Sequence, residues 1–113
     1  MEIKFCSVHH FGGLANNPHA STRHLTEAHI NNAHKARFDF ISSMGSYIGY
    51  NVIIYPSGEW KQYREIGEET ASQKGYNFNT FSICLAGNFL VDKPTEAQKA
   101  TLKIILKAAT STD

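Results

Sequence analysis

Two apolar runs constrain what this chain can fold into. Residues 48–55, Ile-Gly-Tyr-Asn-Val-Ile-Ile-Tyr, are rich in β-branched and aromatic side chains. Residues 80–86, Thr-Phe-Ser-Ile-Cys-Leu-Ala, read as a buried strand closed by Gly87-Asn88. Pro56-Ser57-Gly58 follows the first run as a turn, and Glu59-Trp60-Lys61-Gln62-Tyr63 then alternates apolar with polar residues, so this region predicts a hairpin. Trp60 and Tyr63 are expected to pack on its face. Residues 2–9 alternate as a further strand. Residues 24–37 favour helix, with Glu27 near the start and Lys35 and Arg37 near the end, as the helix dipole prefers. A second helix opens at Pro94-Thr95-Glu96-Ala97-Gln98, where Thr95 and Gln98 have capping-box spacing. Its apolar stripe is expected at Ala97, Thr101, Ile104, Ile105 and Ala108. The order strand, helix, hairpin, strand, helix predicts an α/β fold: a mixed central sheet with helices packed on it.

At 113 residues the chain is read as one domain, residues 1–113. Its net charge is +1 and it contains no Lys/Arg run, which argues against nucleic acid or an anionic membrane as partner. No apolar stretch approaches the roughly 20 residues of a membrane span. Met1-Glu2-Ile3-Lys4 leads directly into a strand pattern, so synthesis in the cytoplasm without a signal peptide is expected. Cys6 and Cys84 each sit in an apolar run and read as buried thiols rather than a disulfide framework.

The six histidines invite a metal or proton-transfer reading. His9 and His10 end the first strand, where a side chain is held rigidly yet stays reachable. Adjacent strand residues point to opposite faces, so one of the two faces a given cleft. His19, His24, His29 and His34 recur every five residues, which does not stack successive members on one helix face, and surface or capping roles are expected. Tyr50 follows Gly49, and its hydroxyl is either sheet packing or a donor to a developing oxyanion. Residues 65–79 form a long loop, in which Gly75-Tyr76-Asn77-Phe78-Asn79 could line a groove. Arg64 either binds a carboxylate or is solvated. A Gly-x-Ser-x-Gly elbow, a paired-carboxylate pattern and a Gly-rich phosphate loop are all missing from the sequence.

Five segments in order resemble the zinc-dependent N-acetylmuramoyl-L-alanine amidases, the family of phage lysins and peptidoglycan recognition proteins. They are Cys6-Ser7-Val8-His9-His10, Ile30–Arg37 with its His34-Lys35-Ala36-Arg37, Ile48–Ile54 with Ser57-Gly58, Gly75–Asn79 with Ile83–Phe89, and Pro94–Gln98. The resemblance implies an amidase-like fold and hydrolysis of the amide between N-acetylmuramic acid and the L-alanine of the stem peptide. It implies peptidoglycan as partner, action on the cell wall after release by lysis, and Zn2+ as cofactor. His9 would be a zinc ligand, Tyr50 the catalytic tyrosine, and Arg64, Ser72 and Asn77 would hold the muropeptide. The family's other zinc ligands, a His and a Cys, stand beyond the second helix, and no residue here matches either. The site, and the C-terminal part of the domain, are therefore expected to be incomplete. The alternative is a non-catalytic peptidoglycan-binding or regulatory module of the same fold.

Overall fold

The computed structural model describes residues 5–70 and 80–110. Strand β1 (Phe5–His10) leads through a long loop to helix α1 (Glu27–Phe38). Strands β2 (Val52–Ile54) and β3 (Trp60–Gln62) form the hairpin, followed by β4 (Thr80–Leu85) and helix α2 (Glu96–Thr110). The sheet order is β1-β4-β2-β3. β4 runs parallel to both β1 and β2, whereas β3 runs antiparallel to β2. The sheet is mixed and the class is α/β, as the element order predicts.

Every residue of β4 is buried, because helices cover both sides of the sheet. On one side Ile53, Cys84 and Ala86 join Ile30 of α1, together with Ile48 and Tyr63. On the other, Val52, Ile54, Phe81, Ile83 and Leu85 receive Leu102, Ile105, Leu106 and Ala109 of α2. Cys6 packs on the α2 side and Cys84 on the α1 side, so the two thiols lie on opposite faces and are free.

Helix α1 starts later than the 24–37 expectation because Thr26 caps it, accepting the His29 N–H at 3.2 Å. It ends where Asp39 adopts a left-handed backbone, φ 48°, and donates its N–H to the carbonyls of His34 and Lys35.

The capping box of α2 is formed: Gln98 donates its N–H to Thr95 Oγ1 and accepts the Thr95 N–H at Oε1. The stripe differs from expectation. Ile104 is 69% exposed, Ala97 and Ala108 are exposed, and the inward residues are Gln98, Leu102, Ile105, Leu106 and Ala109. Gln98 sets this phase, because its Nε2 bridges the carbonyls of Ile54 and Ala86 at the ends of β2 and β4. The hairpin turn packs on the same helix. Gly58 has φ 90°, and a Cβ there would meet Ala97 and Thr101 at 3.1–3.2 Å.

Trp60, expected on the hairpin face, is 54% exposed, since β3 is the sheet edge. Tyr63 is buried, with its hydroxyl placed against Tyr55 and Glu27. Residues 48–51 lie outside the β2 ladder, although Asn51 still donates its N–H to Ser82 and accepts that of Tyr63.

Candidate active site

The register of β1 against β4 places His9 beside Cys84 on the α1 side of the sheet. Tyr50 approaches the same place from the segment preceding β2. Its ring centroid lies 5.7 Å from that of His9 and 5.5 Å from that of His34. The phenol therefore packs against both imidazoles. Cys84, fully buried on the same side, directs its thiol to its neighbour's carbonyl, Leu85 O, at 3.7 Å. His9 Nε2 also lies 3.1 Å from the Ser7 hydroxyl, and His34 Nδ1 accepts the Gly49 N–H at 2.8 Å.

Burial decides the charge state of this cluster. It lowers the pKa of His9, and the neighbouring His10 lowers it further. Burial, then the charges of Arg37 and Arg64, bring His34 down to about 4. Burial raises Tyr50 and Cys84 well above their ordinary values. At neutral pH the cluster is two uncharged imidazoles, a phenol and a thiol.

A groove of about 460 Å³ opens beside Tyr50, between α1 and the loop that leaves β1. Phe11, Leu14 and Leu25 supply its loop wall, whereas Ile30, His34 and Arg37 supply its helix wall. The loop wall is anchored from behind. The Asp92 carboxylate accepts the Ser21 hydroxyl and the backbone N–H groups of Thr22 and Asn88. Asn88 Nδ2 donates to the carbonyls of Pro18 and Ala20.

The sequence-derived site residues fall into three groups. Tyr50 lines the groove, and His9 packs against it without lining the groove itself. Ser72 and Asn77 lie outside the described residues. Arg64 is corrected: it is fully buried, donating from Nε to Ile48 O at 2.7 Å, from Nη1 to Glu69 O and from Nη2 to Phe40 O, with its guanidinium over the Phe40 ring. Those donors are committed to backbone carbonyls, so Arg64 joins the 40–70 connections instead of facing a ligand. His10 points away from the cleft; it stacks on Phe89 and accepts the Phe89 N–H. His19, His24 and His29 are exposed. His34, grouped with them on spacing, belongs to the cluster instead. The available signal was its position one turn beyond Ile30, the buried residue of α1.

Zinc was expected on His9. A catalytic zinc takes three protein ligands and keeps one position open. Among the described residues, no three His, Cys, Asp or Glu side chains converge to hold a metal ion. Cys84, paired with His9 across the β1–β4 register, is a buried thiol that burial holds protonated. The described residues alone do not fit a catalytic zinc.

No family model and no curated protein matches the sequence. Solved structures do match. The endolysin N-acetylmuramoyl-L-alanine amidase LysCS from Clostridium intestinale superposes with a TM-score of 0.71 at 22% identity, over 99% of this chain and 66% of that one. Human PGRP-IBETAC, solved in complex with glycosamyl muramyl pentapeptide, gives 0.70 at 17% identity, over 96% of this chain and 63% of that one. PGRP-Hd from Alvinella pompejana gives 0.67 at 16% identity, over 96% and 66%. The chain thus spans about two thirds of the length of these proteins. Its fold is that of the N-acetylmuramoyl-L-alanine amidases and peptidoglycan recognition proteins.

Proposed function

We propose that this chain is the larger part of a peptidoglycan amidase domain, cleaving the amide that joins N-acetylmuramic acid to the L-alanine of the stem peptide. The observation that carries this reading is the His9–Tyr50–His34 cluster at the edge of a groove, on a fold shared with amidases. In amide hydrolysis water adds to the carbonyl carbon, the C–N bond breaks, and the leaving amine takes a proton. The negative charge that develops on the carbonyl oxygen needs a hydrogen-bond donor in a site sheltered from water. Tyr50 suits that role because burial keeps its hydroxyl protonated. Rotation about its C–O bond can turn that proton toward the groove, which Tyr50 lines. The apolar loop wall and the Arg37 guanidinium across from it would seat the muropeptide.

Zinc dependence enters this reading through His9 alone, whose uncharged imidazole is in the form that ligates metal. Two more donors would have to come from outside the described residues.

A second reading, a muropeptide-binding module without catalysis, is favoured by the lack of a three-donor cluster among the described residues. Incubation of the chain with a defined muropeptide, with and without added zinc, separates the two. Release of the stem peptide, detected by mass spectrometry and lost in His9→Ala and Tyr50→Phe, supports the amidase. Calorimetric binding without cleavage, unchanged by chelator and by His9→Ala, supports the module. Neither cleavage nor binding would overturn both.

A further inference from the structure

Residues 46–50 deliver Tyr50 to the cleft, yet they lie outside every strand ladder of the described sheet. The N–H groups of residues 46–49 go to side chains instead. The Tyr47 N–H goes to Asn31 Oδ1 at 2.8 Å and the Gly49 N–H to His34 Nδ1 at 2.8 Å. Between them the Ile48 carbonyl accepts Arg64 Nε. Asn31 and His34 are one helical turn apart, so a single face of α1 supplies both acceptors in the order a neighbouring strand would. Gly49 is buried, and an orphaned N–H there would carry the full cost of desolvation.

We propose that His34 is a positioning residue for Tyr50, fixing the backbone at Gly49 through Nδ1 while its ring packs against the phenol at 5.5 Å. The hydrogen bond assigns the tautomer. Nδ1 is the acceptor, so the proton of the neutral ring sits on Nε2. An imidazolium would turn a donor toward the Gly49 N–H, and it would face the positive charges of Arg37 and Arg64. Phe38 closes the edge of the ring in a T-shaped contact at 5.2 Å, which limits its rotation. His34 is therefore held in one tautomer and one orientation, and Tyr50 inherits that order. The consequence for turnover rests on the amidase reading, whereas the consequence for structure does not.

The test compares His34→Ala with His34→Asn, because an Asn Oδ1 reaches nearly the place of a His Nδ1. In isotope-labelled protein, the Gly49 amide should exchange with solvent roughly tenfold faster in His34→Ala, as expected for one lost hydrogen bond. The Tyr50 ring signals should shift, and both changes should largely revert in His34→Asn. With muropeptide, kcat should fall by roughly tenfold or more in His34→Ala at a little-changed KM, with Asn recovering most of it. Asn31→Ala is the control: it removes the other anchor and should leave the Gly49 amide protected. Unchanged Gly49 exchange in His34→Ala, or an Asn variant no better than Ala, would overturn the proposal. If the wild-type chain turns over no muropeptide, the amidase reading fails, and the Gly49 and Tyr50 signals still decide the role of His34. If His34→Ala does not fold, His34→Asn against wild type decides on the same signals.

Discussion

The face of the sheet under α2 is dry and, Gln98 apart, apolar, whereas the face under α1 is laced with polar side chains. Under α2, five strand residues meet four apolar helix residues in a stripe of ordinary helical spacing. Under α1, the helix contributes one buried apolar residue, Ile30. Its hydrogen bonds to the rest of the fold include Glu27 with Tyr63 and Lys61, Asn31 with Ser46 and Tyr47, and His34 with Gly49. His9, His34, Tyr50 and Cys84 lie on this face, and burial shifts each toward its neutral form. One face supplies stability; the other uses part of that stability to hold titratable groups where water is scarce.

The largest effect should come from the dry face. Ile83→Ala removes a fully buried side chain, and the resulting cavity should cost about 3–4 kcal/mol. Muropeptide affinity, measured below the melting transition, should not change. An affinity loss in proportion would mean that the two faces are not separable. Tyr50→Phe makes the converse case. Turnover should drop by about a hundredfold, the loss typical of one oxyanion donor, while the urea midpoint moves little. A large stability loss with unchanged turnover would assign Tyr50 to packing. Gln98→Leu tests the seam between α2 and the sheet. It removes the donor to the Ala86 carbonyl, one of two donors to the Ile54 carbonyl (the Ala86 N–H remains) and the acceptor of the Thr95 N–H, and should cost about 2 kcal/mol in a denaturant titration. A neutral outcome would mean that water replaces the amide there.

These differences also govern what could be read from the chain. The hairpin, β4 and the Thr95–Gln98 cap were legible because their signals are local: β-branched runs, a Pro-Ser-Gly turn, two residues three apart. The phase of α2 was misread because Gln98 is polar and was left out of the stripe; only the two carbonyls it bridges show that it faces inward. Arg64 was misread for the same reason. Its partners are carbonyls 5, 16 and 24 residues away, and backbone acceptors leave no mark in a sequence. His34 was hidden by a regular histidine spacing that has no structural meaning. His9 and Tyr50 could be paired in advance by resemblance, while strand position alone left the role of each open.

Asp92 offers the smallest and most specific test, because it ties the two faces together. Its carboxylate binds the turn before α2 to the loop that walls the groove on the α1 side. Burial alone would raise its pKa. The hydrogen bonds from Asn88, Ser21 and Thr22, with the Arg23 charge, outweigh burial and hold it below the usual value. The sign follows from linkage. A carboxyl whose folded pKa is depressed contributes its full stabilisation above the unfolded pKa of about 3.9, and loses it as the pH falls through the lower folded value. Asp92→Asn should therefore be less stable than wild type by on the order of 1 kcal/mol at pH 7, and that gap should narrow at an acid pH below the unfolded value of about 3.9, as the wild-type carboxyl takes up a proton. Urea titrations of both proteins at the two pH values measure it. Glu68, also depressed, is present in both proteins and cancels from the comparison. A gap that stays constant with pH would mean that the Asp92 hydrogen bonds do not depend on its charge. The groove wall would then be held by Asn88 and its two carbonyl partners instead.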